Sequence, residues 1–187
     1  MVAGTSRYDQ SWLARTRELL DRRDDDFAVT YLTDLPIGEL TEAVRALPPD
    51  SVVLYLTMTA DPSGSRFVSR DVAQRISDVS PVPVFGFLES YIGYGVVASH
   101  APSFVNHGRA AGALMLRVLK GEPGAAERIE AGPGPRCVAD ARELDRRGLN
   151  EAALPAGCEV LSARRRSGNS FTGRSSARWR WSRCRPD

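Results

Sequence analysis

The chain has 187 residues, 42% of them hydrophobic and 26% charged, a balance that suits one packed domain or one lobe of a larger protein and excludes wholesale disorder or a fibrous repeat. Its longest apolar stretches, residues 52–56 and 82–88, fall well short of the roughly 18 residues that span a bilayer, so no membrane span is expected. The net charge of +2 hides two compositions: residues 162–187 hold eight arginines against one acid, and residues 1–161 hold 17 bases against 22 acids.

In chain order, Trp12, Leu13, Thr16, Leu19 and Leu20 recur at helical spacing until the acidic cluster Asp24-Asp25-Asp26, which predicts a first helix ended by a turn. Residues 27–31 carry strand-forming side chains, and Pro36 opens a second helix whose apolar face is Ile37, Leu40, Val44 and Leu47. Pro48-Pro49-Asp50 stops that helix, and Val52-Val53-Leu54-Tyr55-Leu56 is a continuous apolar run of the kind buried on both faces of a parallel sheet. After a polar loop, Val68, Val72, Ile76 and Val79 form a third helical face ahead of a strand at residues 82–87.

Residues 96–99 read as another short strand, and Phe104, Gly108, Ala111, Met115, Val118 and Leu119 line one side of a long helix ending at Lys120-Gly121. Gly108 and Gly112 are expected to let this helix approach its sheet closely. Asp140 with Glu143 has the form of a capping box and Gly148 suits the position after a helix end, which predicts a last helix over 141–147. Alternation of this kind implies an α/β fold with a mostly parallel sheet flanked by helices. Residues 1–161 are expected to form that unit, and the basic tail 162–187 reads as disordered or out of frame, with neither hydrophobic period.

Chemistry is sparse. No G-x-S-x-G elbow, Walker A loop or H-E-x-x-H helix occurs. Gly93-Tyr94-Gly95-Val96-Val97-Ala98 matches a dinucleotide fingerprint as text, yet β-branched valines stand where that fingerprint needs a helix. His100 and His107, seven apart and on either side of Pro102, lack a third ligand or base. Cys137, Cys158 and Cys184 form an odd count with no C-x-x-C pair, so neither a zinc site nor a disulfide framework is expected, and the redox compartment stays open. Catalytic residues, metal ligands and cofactors are accordingly expected to be absent.

Two loops after strands stand out, because ligands of open α/β sheets bind outside the carboxyl ends of the strands. Residues 57–66 offer Thr59, Asp61, Ser63 and Arg66, and residues 89–94 offer Glu89, Tyr91 and Tyr94. Aromatic walls with a few fixed polar groups suit a small polar ligand.

The segments Ala46-Leu47-Pro48-Pro49-Asp50-Ser51-Val52-Val53-Leu54-Tyr55, Pro83-Val84-Phe85-Gly86 and Tyr91-Ile92-Gly93-Tyr94-Gly95-Val96-Val97 resemble, in this order, the periplasmic substrate-binding-protein-like sensor region of bacterial hybrid histidine kinases. So do Gly108-Arg109-Ala110-Ala111 through Leu119-Lys120-Gly121-Glu122 and the helix of residues 144–149. That family is itself similar to ABC-transporter substrate-binding proteins. The resemblance covers residues 2–161 and implies a type I periplasmic-binding fold, in which two α/β lobes enclose a ligand. It puts Asp61, Arg66, Glu89, Tyr91 and Tyr94 at the cleft and implies a kinase or permease as the output partner.

Met1 falls where the family's second lobe begins, so the chain is expected to represent an incomplete, second-lobe unit. Family resemblance implies the periplasm, whereas Met1–Ser6 lacks the basic and apolar regions of a signal peptide, which for the chain as written predicts the cytoplasm. The leading expectation is therefore a non-enzymatic ligand-binding sensor input. The alternatives are a transporter binding protein and a small cytoplasmic α/β enzyme, for which Asp61 with Glu89 is the one acid–base pair on offer. Nucleic-acid binding rests on the arginine tail alone and is not expected.

Overall fold

The structure is a computed structural model that describes residues 1–22, 27–124 and 132–161. A seven-stranded sheet runs in the order β2-β1-β3-β4-β5-β6-β7, with β1 at Val2–Ala3, β2 at Leu32–Thr33, β3 at Val53–Tyr55, β4 at Val84–Gly86, β5 at Ala98–Pro102, β6 at Pro135–Asp140 and β7 at Glu159–Leu161. All neighbours are parallel except β5 and β6, which pair antiparallel from Ala98↔Ala139 to Pro102↔Pro135. The mostly parallel α/β architecture is as the alternating pattern implies.

Helices α1 (Arg7–Asp21), α2 (Ile37–Arg45), α3 (Ser69–Val79), α4 (Phe104–Leu119) and α5 (Ala141–Arg147) connect the strands. On one face, Leu40 and Val44 of α2 and Val72, Ala73 and Ile76 of α3 bury against Val2, Val53, Tyr55 and Val84. On the other, Leu13 of α1 packs with Ala3 and Leu56, and Leu144 of α5 with Val97, Ala98 and Ala139. Arg146 of α5 donates to Ser77 Oγ (2.7 Å) and Arg147 to Ser80 O (3.0 Å), tying α5 to the end of α3. Ser77 Oγ in turn donates to Gly95 O (2.6 Å). Gly95 has φ +81°, and a Cβ there would lie 2.4 Å from Ser77 Cβ, so this turn requires glycine on two grounds.

Several expectations need correction. Residues 27–31 are not strand; the ladder forms immediately after them at β2, where Leu32 N–H donates to Met1 O (2.8 Å). Cys137 and Cys158 form a disulfide between β6 and the turn before β7, because antiparallel β5–β6 pairing and parallel β6–β7 pairing bring two distant cysteines side by side. Gly108 and Gly112 do not let α4 approach the sheet: among the described residues nothing lies within 4 Å of a Cβ at either position, and α4 buries none of its residues against them. The Asp140 side chain caps α5 by accepting from Arg142 N–H (3.0 Å), but Glu143 pairs with Arg146 rather than closing the box. Gly148 does take the left-handed C-cap, at φ +63°. No helix among the described residues is long and apolar enough to cross a membrane, and the tail 162–187 lies outside the described residues.

Candidate functional site

Parallel strands β1, β3 and β4 point their carboxyl ends the same way, so the segments that follow them share one edge of the sheet. After β1, Ser6 caps α1: its Oγ accepts from Asp9 N–H (3.1 Å), and Asp9 Oδ2 accepts from Ser6 N–H (3.2 Å) in a full capping box. Asp9 is fully buried and also accepts from Thr59 N–H (3.0 Å). The Thr59 hydroxyl lies 2.7 Å from Ser6 Oγ and 3.0 Å from Asp9 Oδ2. This knot clips the loop after β3 to the start of α1. Gly4 makes room for it, since a Cβ there would fall 2.5 Å from Ala60 O and 2.6 Å from Asp9 Oδ2.

Asp61 is 3% exposed and organises its own loop. Its Oδ1 accepts from Ser63 N–H (3.0 Å), Ser63 Oγ (2.5 Å) and Ser65 N–H (3.1 Å), and its Oδ2 accepts from Ile37 N–H at the start of α2 (3.1 Å). These donors, the Ser63 hydroxyl foremost, hold its carboxyl below the usual aspartate range. Arg66 closes the loop through an antiparallel bridge with Ala60 and is exposed.

The segment after β4 folds as a short 3-10 turn at Glu89–Tyr91. Tyr91 is buried; its hydroxyl donates to Leu56 O (3.0 Å) and meets Ser69 Oγ (2.8 Å), which also meets the Tyr55 hydroxyl (2.9 Å) and accepts from Met58 N–H (3.0 Å). Burial pushes the phenols of Tyr55 and Tyr91 up, so both stay neutral donors. Tyr94 is half-buried under the Arg70 guanidinium, 5.2 Å from the ring centroid. Glu89 pairs with Arg136 at the start of β6, and Arg136 also donates to Glu159 (2.5 Å). The pairing with Glu89 raises the Arg136 pKa further. Glu89 Oε2 and Arg136 Nε are buried without hydrogen-bond partners among the described residues.

Of the five sequence candidates, Asp61 and Tyr91 are therefore enclosed and fix the two loops, while Arg66, Glu89 and Tyr94 keep surface at the edge. Ser69 and Arg70, at the start of α3, join the two loops through Tyr91 and Tyr94. No contact among the described residues joins Asp61 to Glu89: each carboxylate has its own separate partners, so an acid–base pair is not assembled between them.

Sequence reasoning missed three contributors. The Ser6–Asp9–Thr59 knot was signalled by Ser-x-x-Asp ahead of an apolar helix. Arg136 carried no local signal, since only the return of β6 to the carboxyl end of β5 places it there. An aromatic row also lies here: Trp12 of α1 sits 4.3 Å from Phe87 and 6.4 Å from Tyr8, with Tyr8 exposed and the other two half-buried. Tyr8 and Trp12 are neighbours on α1, whereas Phe87 follows β4, so no local motif announces the whole row. Among the described residues no cluster of His, Cys, Asp and Glu has the form of a metal site.

The fold has solved counterparts. A ligand-free, open substrate-binding protein with adhesive properties from Clostridium difficile matches with a TM-score of 0.63 at 14% identity, over 86% of this chain and 52% of its own. An ABC domain in complex with L-Trp from Streptococcus pneumoniae matches with 0.55 at 14%, over 86% and 53%. A conserved domain protein from Vibrio cholerae matches with 0.57 at 18%, over 85% and 52%. No protein-family model and no curated protein matches the chain. The chain thus shares its α/β fold with these three structures and spans about half the length of each.

Proposed function

We propose that the chain is one ligand-binding lobe of a substrate-binding-protein-like receptor, without catalysis of its own, and that its ligand wall is the edge at the carboxyl ends of β1, β3 and β4. The observation that carries this reading is that exposed Arg66 and half-buried Glu89, paired with Arg136, and Tyr94 keep surface in the segments after β3 and β4, on a frame locked by the Asp61 and Tyr91 hydrogen bonds, while the Tyr8–Trp12–Phe87 row follows β1 and β4. A flat or aliphatic body resting on the rings with polar groups reaching Glu89 and Arg136 defines a small polar ligand of mixed character.

The segment-by-segment sequence resemblance supports a sensor input, in which lobe closure is passed to a histidine kinase. The fold supports a transporter binding protein, with a permease as partner, equally well. The two readings separate on the genes around this locus: kinase boxes following a membrane helix favour the sensor, and permease with ATPase genes favour transport. A periplasmic or otherwise oxidising location is supported by the Cys137–Cys158 disulfide, since such bonds persist outside the reducing cytosol.

The binding claim is tested by ligand-observed NMR of the chain with amino acids, small sugars and carboxylates, repeated on Arg66→Ala and Glu89→Gln. The expected result is weak, saturable binding of a subset that is lost in one or both variants while circular dichroism is unchanged. Binding that survives both substitutions contradicts this placement of the site.

A further inference from the structure

The central strands are covered unequally on their two faces. Val53 and Tyr55 of β3 and Val84 of β4 are buried in the core with α2 and α3, whereas Leu54, Phe85 and Phe87, which alternate with them and point to the opposite face, are only half-buried. Interior strands of a parallel sheet carry apolar side chains on both faces because both are normally covered. The cause is local. Helix α5 stops after seven residues at the left-handed Gly148, and the chain continues as a short 3-10 turn at Glu151–Ala153 rather than as more helix. Between this segment and α1 the described residues leave a cavity of about 580 Å³, floored by Leu54, Phe85 and Phe87 and walled by Leu19, Leu149 and Leu154.

Charge and size define what such a cavity takes. No Asp, Glu, Lys or Arg lines it, and its polar side chains are Thr16, Ser99, His100 and Asn150. Thr16 Oγ1 donates to Trp12 O (2.8 Å) and Asn150 Oδ1 accepts from Ala152 N–H (2.9 Å), which leaves the Asn150 amide N–H groups and the His100 ring to meet a guest. An ion placed in this lining loses hydration and finds no counter-charge, so the favoured guest is neutral. The volume lies within the range of small-molecule pockets. A helix about 10–12 Å across fills it with roughly one turn, too little to seat a helix face.

We propose that this cavity is a second binding site, for a neutral small molecule with an aromatic or alicyclic body and a single hydroxyl or carbonyl group. The body rests on Phe85 and Phe87, and the polar group turns to His100 or Asn150. The site is separate from the ligand wall: it opens on the α1 face of the sheet, whereas Arg66, Glu89 and Tyr94 lie in the segments after β3 and β4. Phe87, 4.3 Å from Trp12 between ring centroids, belongs to both.

The test is NMR of the full 187-residue chain, isotope-labelled at its leucine methyls and titrated with naphthalenemethanol and with its charged analogues naphthoate and naphthylmethylamine. The expected result is saturable shifts at Leu54, Leu149 and Leu154 with a dissociation constant below about 1 mM for the alcohol and binding about tenfold weaker or worse for both ions. Ala153→Trp, at an exposed lining position, fills the cavity from its rim and is expected to weaken binding about tenfold or more with an otherwise native amide spectrum. Arg66→Ala and Glu89→Gln are expected to leave it unchanged, which separates this site from the wall. Absence of saturable shifts, as when a second copy or another part of the chain fills the cavity, would overturn the proposal. So would shifts centred elsewhere, equal binding of the ions, loss of binding in Arg66→Ala, or undiminished binding to a folded Ala153→Trp chain.

Discussion

Opening the Cys137–Cys158 disulfide gives the sharpest energetic prediction. The bond closes a loop of 21 residues, and in the chain-entropy account a loop of this length stabilises the fold by about 3 kcal/mol through the restricted unfolded chain. It also holds β7 to β6 at the edge of the sheet, where only Val138↔Glu159, Ala139↔Val160 and Asp140↔Leu161 pair. For a domain of this size each kcal/mol moves the melting midpoint by about 2–4 °C, so opening the bond lowers it by roughly 6–12 °C. The assay is thermal unfolding with and without a phosphine reductant, in a Cys184→Ser background that removes the third thiol, together with Cys137→Ala/Cys158→Ala. Reduced protein and double variant are expected to melt together, below the oxidised protein. Equal midpoints for the oxidised and reduced chains, or two titratable thiols in the unreduced Cys184→Ser protein, would contradict this prediction.

Four further outcomes follow from the surroundings of single residues. Gly95→Ala puts a Cβ 2.4 Å from Ser77 Cβ at φ +81° and is expected to cost about 2–4 kcal/mol in urea unfolding, whereas Gly108→Ala, with nothing within 4 Å, is expected to gain up to about 1 kcal/mol from helix propensity. Tyr91→Phe removes the hydroxyl that bonds Leu56 O and Ser69 Oγ and is expected to cost about 1–2 kcal/mol by the same measurement. Asp61 has its carboxyl pKa depressed by the Ser63 hydroxyl and neighbouring N–H donors, so its stabilisation is complete above its unfolded pKa and lost as pH falls from about 4 through the folded value. In unfolding curves against pH, Asp61→Asn is expected to be less stable than the parent at neutral pH and to converge with it in acid.

Much of the fold was legible because its signals are local. The α2 face Ile37–Leu40–Val44, the α3 face Val72–Ile76 and the cap pair Asp140 and Gly148 each follow from spacing or backbone preference within a few residues. What was hidden depends on partners distant in sequence. Val2–Ala3 is too short to show a period and becomes a strand only by pairing with both Leu32–Thr33 and Tyr55. β6 and β7 carry no alternation of their own, and without their pairing Cys137 and Cys158 have no reason to meet. The face of α4 reads as a buried stripe by periodicity, but periodicity reports a helix that wants cover, and the described chain supplies none.

The site shows the same division. That the loops after strands carry the polar groups follows from α/β geometry alone. Which groups remain available does not, because Asp61 and Tyr91 are consumed by hydrogen bonds to Ile37, Ser63, Ser65, Leu56 and Ser69, while Arg136 arrives from more than forty residues away. A polar residue in a loop is equally suited to binding a ligand and to building the loop, and only the contact pattern separates the two roles.

The most direct test of the central claim is chemical-shift mapping on the isotope-labelled chain, using the best ligand from the NMR screen. The largest saturable shifts are expected to cluster at Tyr8, Arg66, Glu89, Tyr94 and Arg136, along the carboxyl edge of β1, β3 and β4. Saturable shifts centred instead on Leu54, Phe85 and Leu154, in the groove between α1 and the segment after α5, would contradict it.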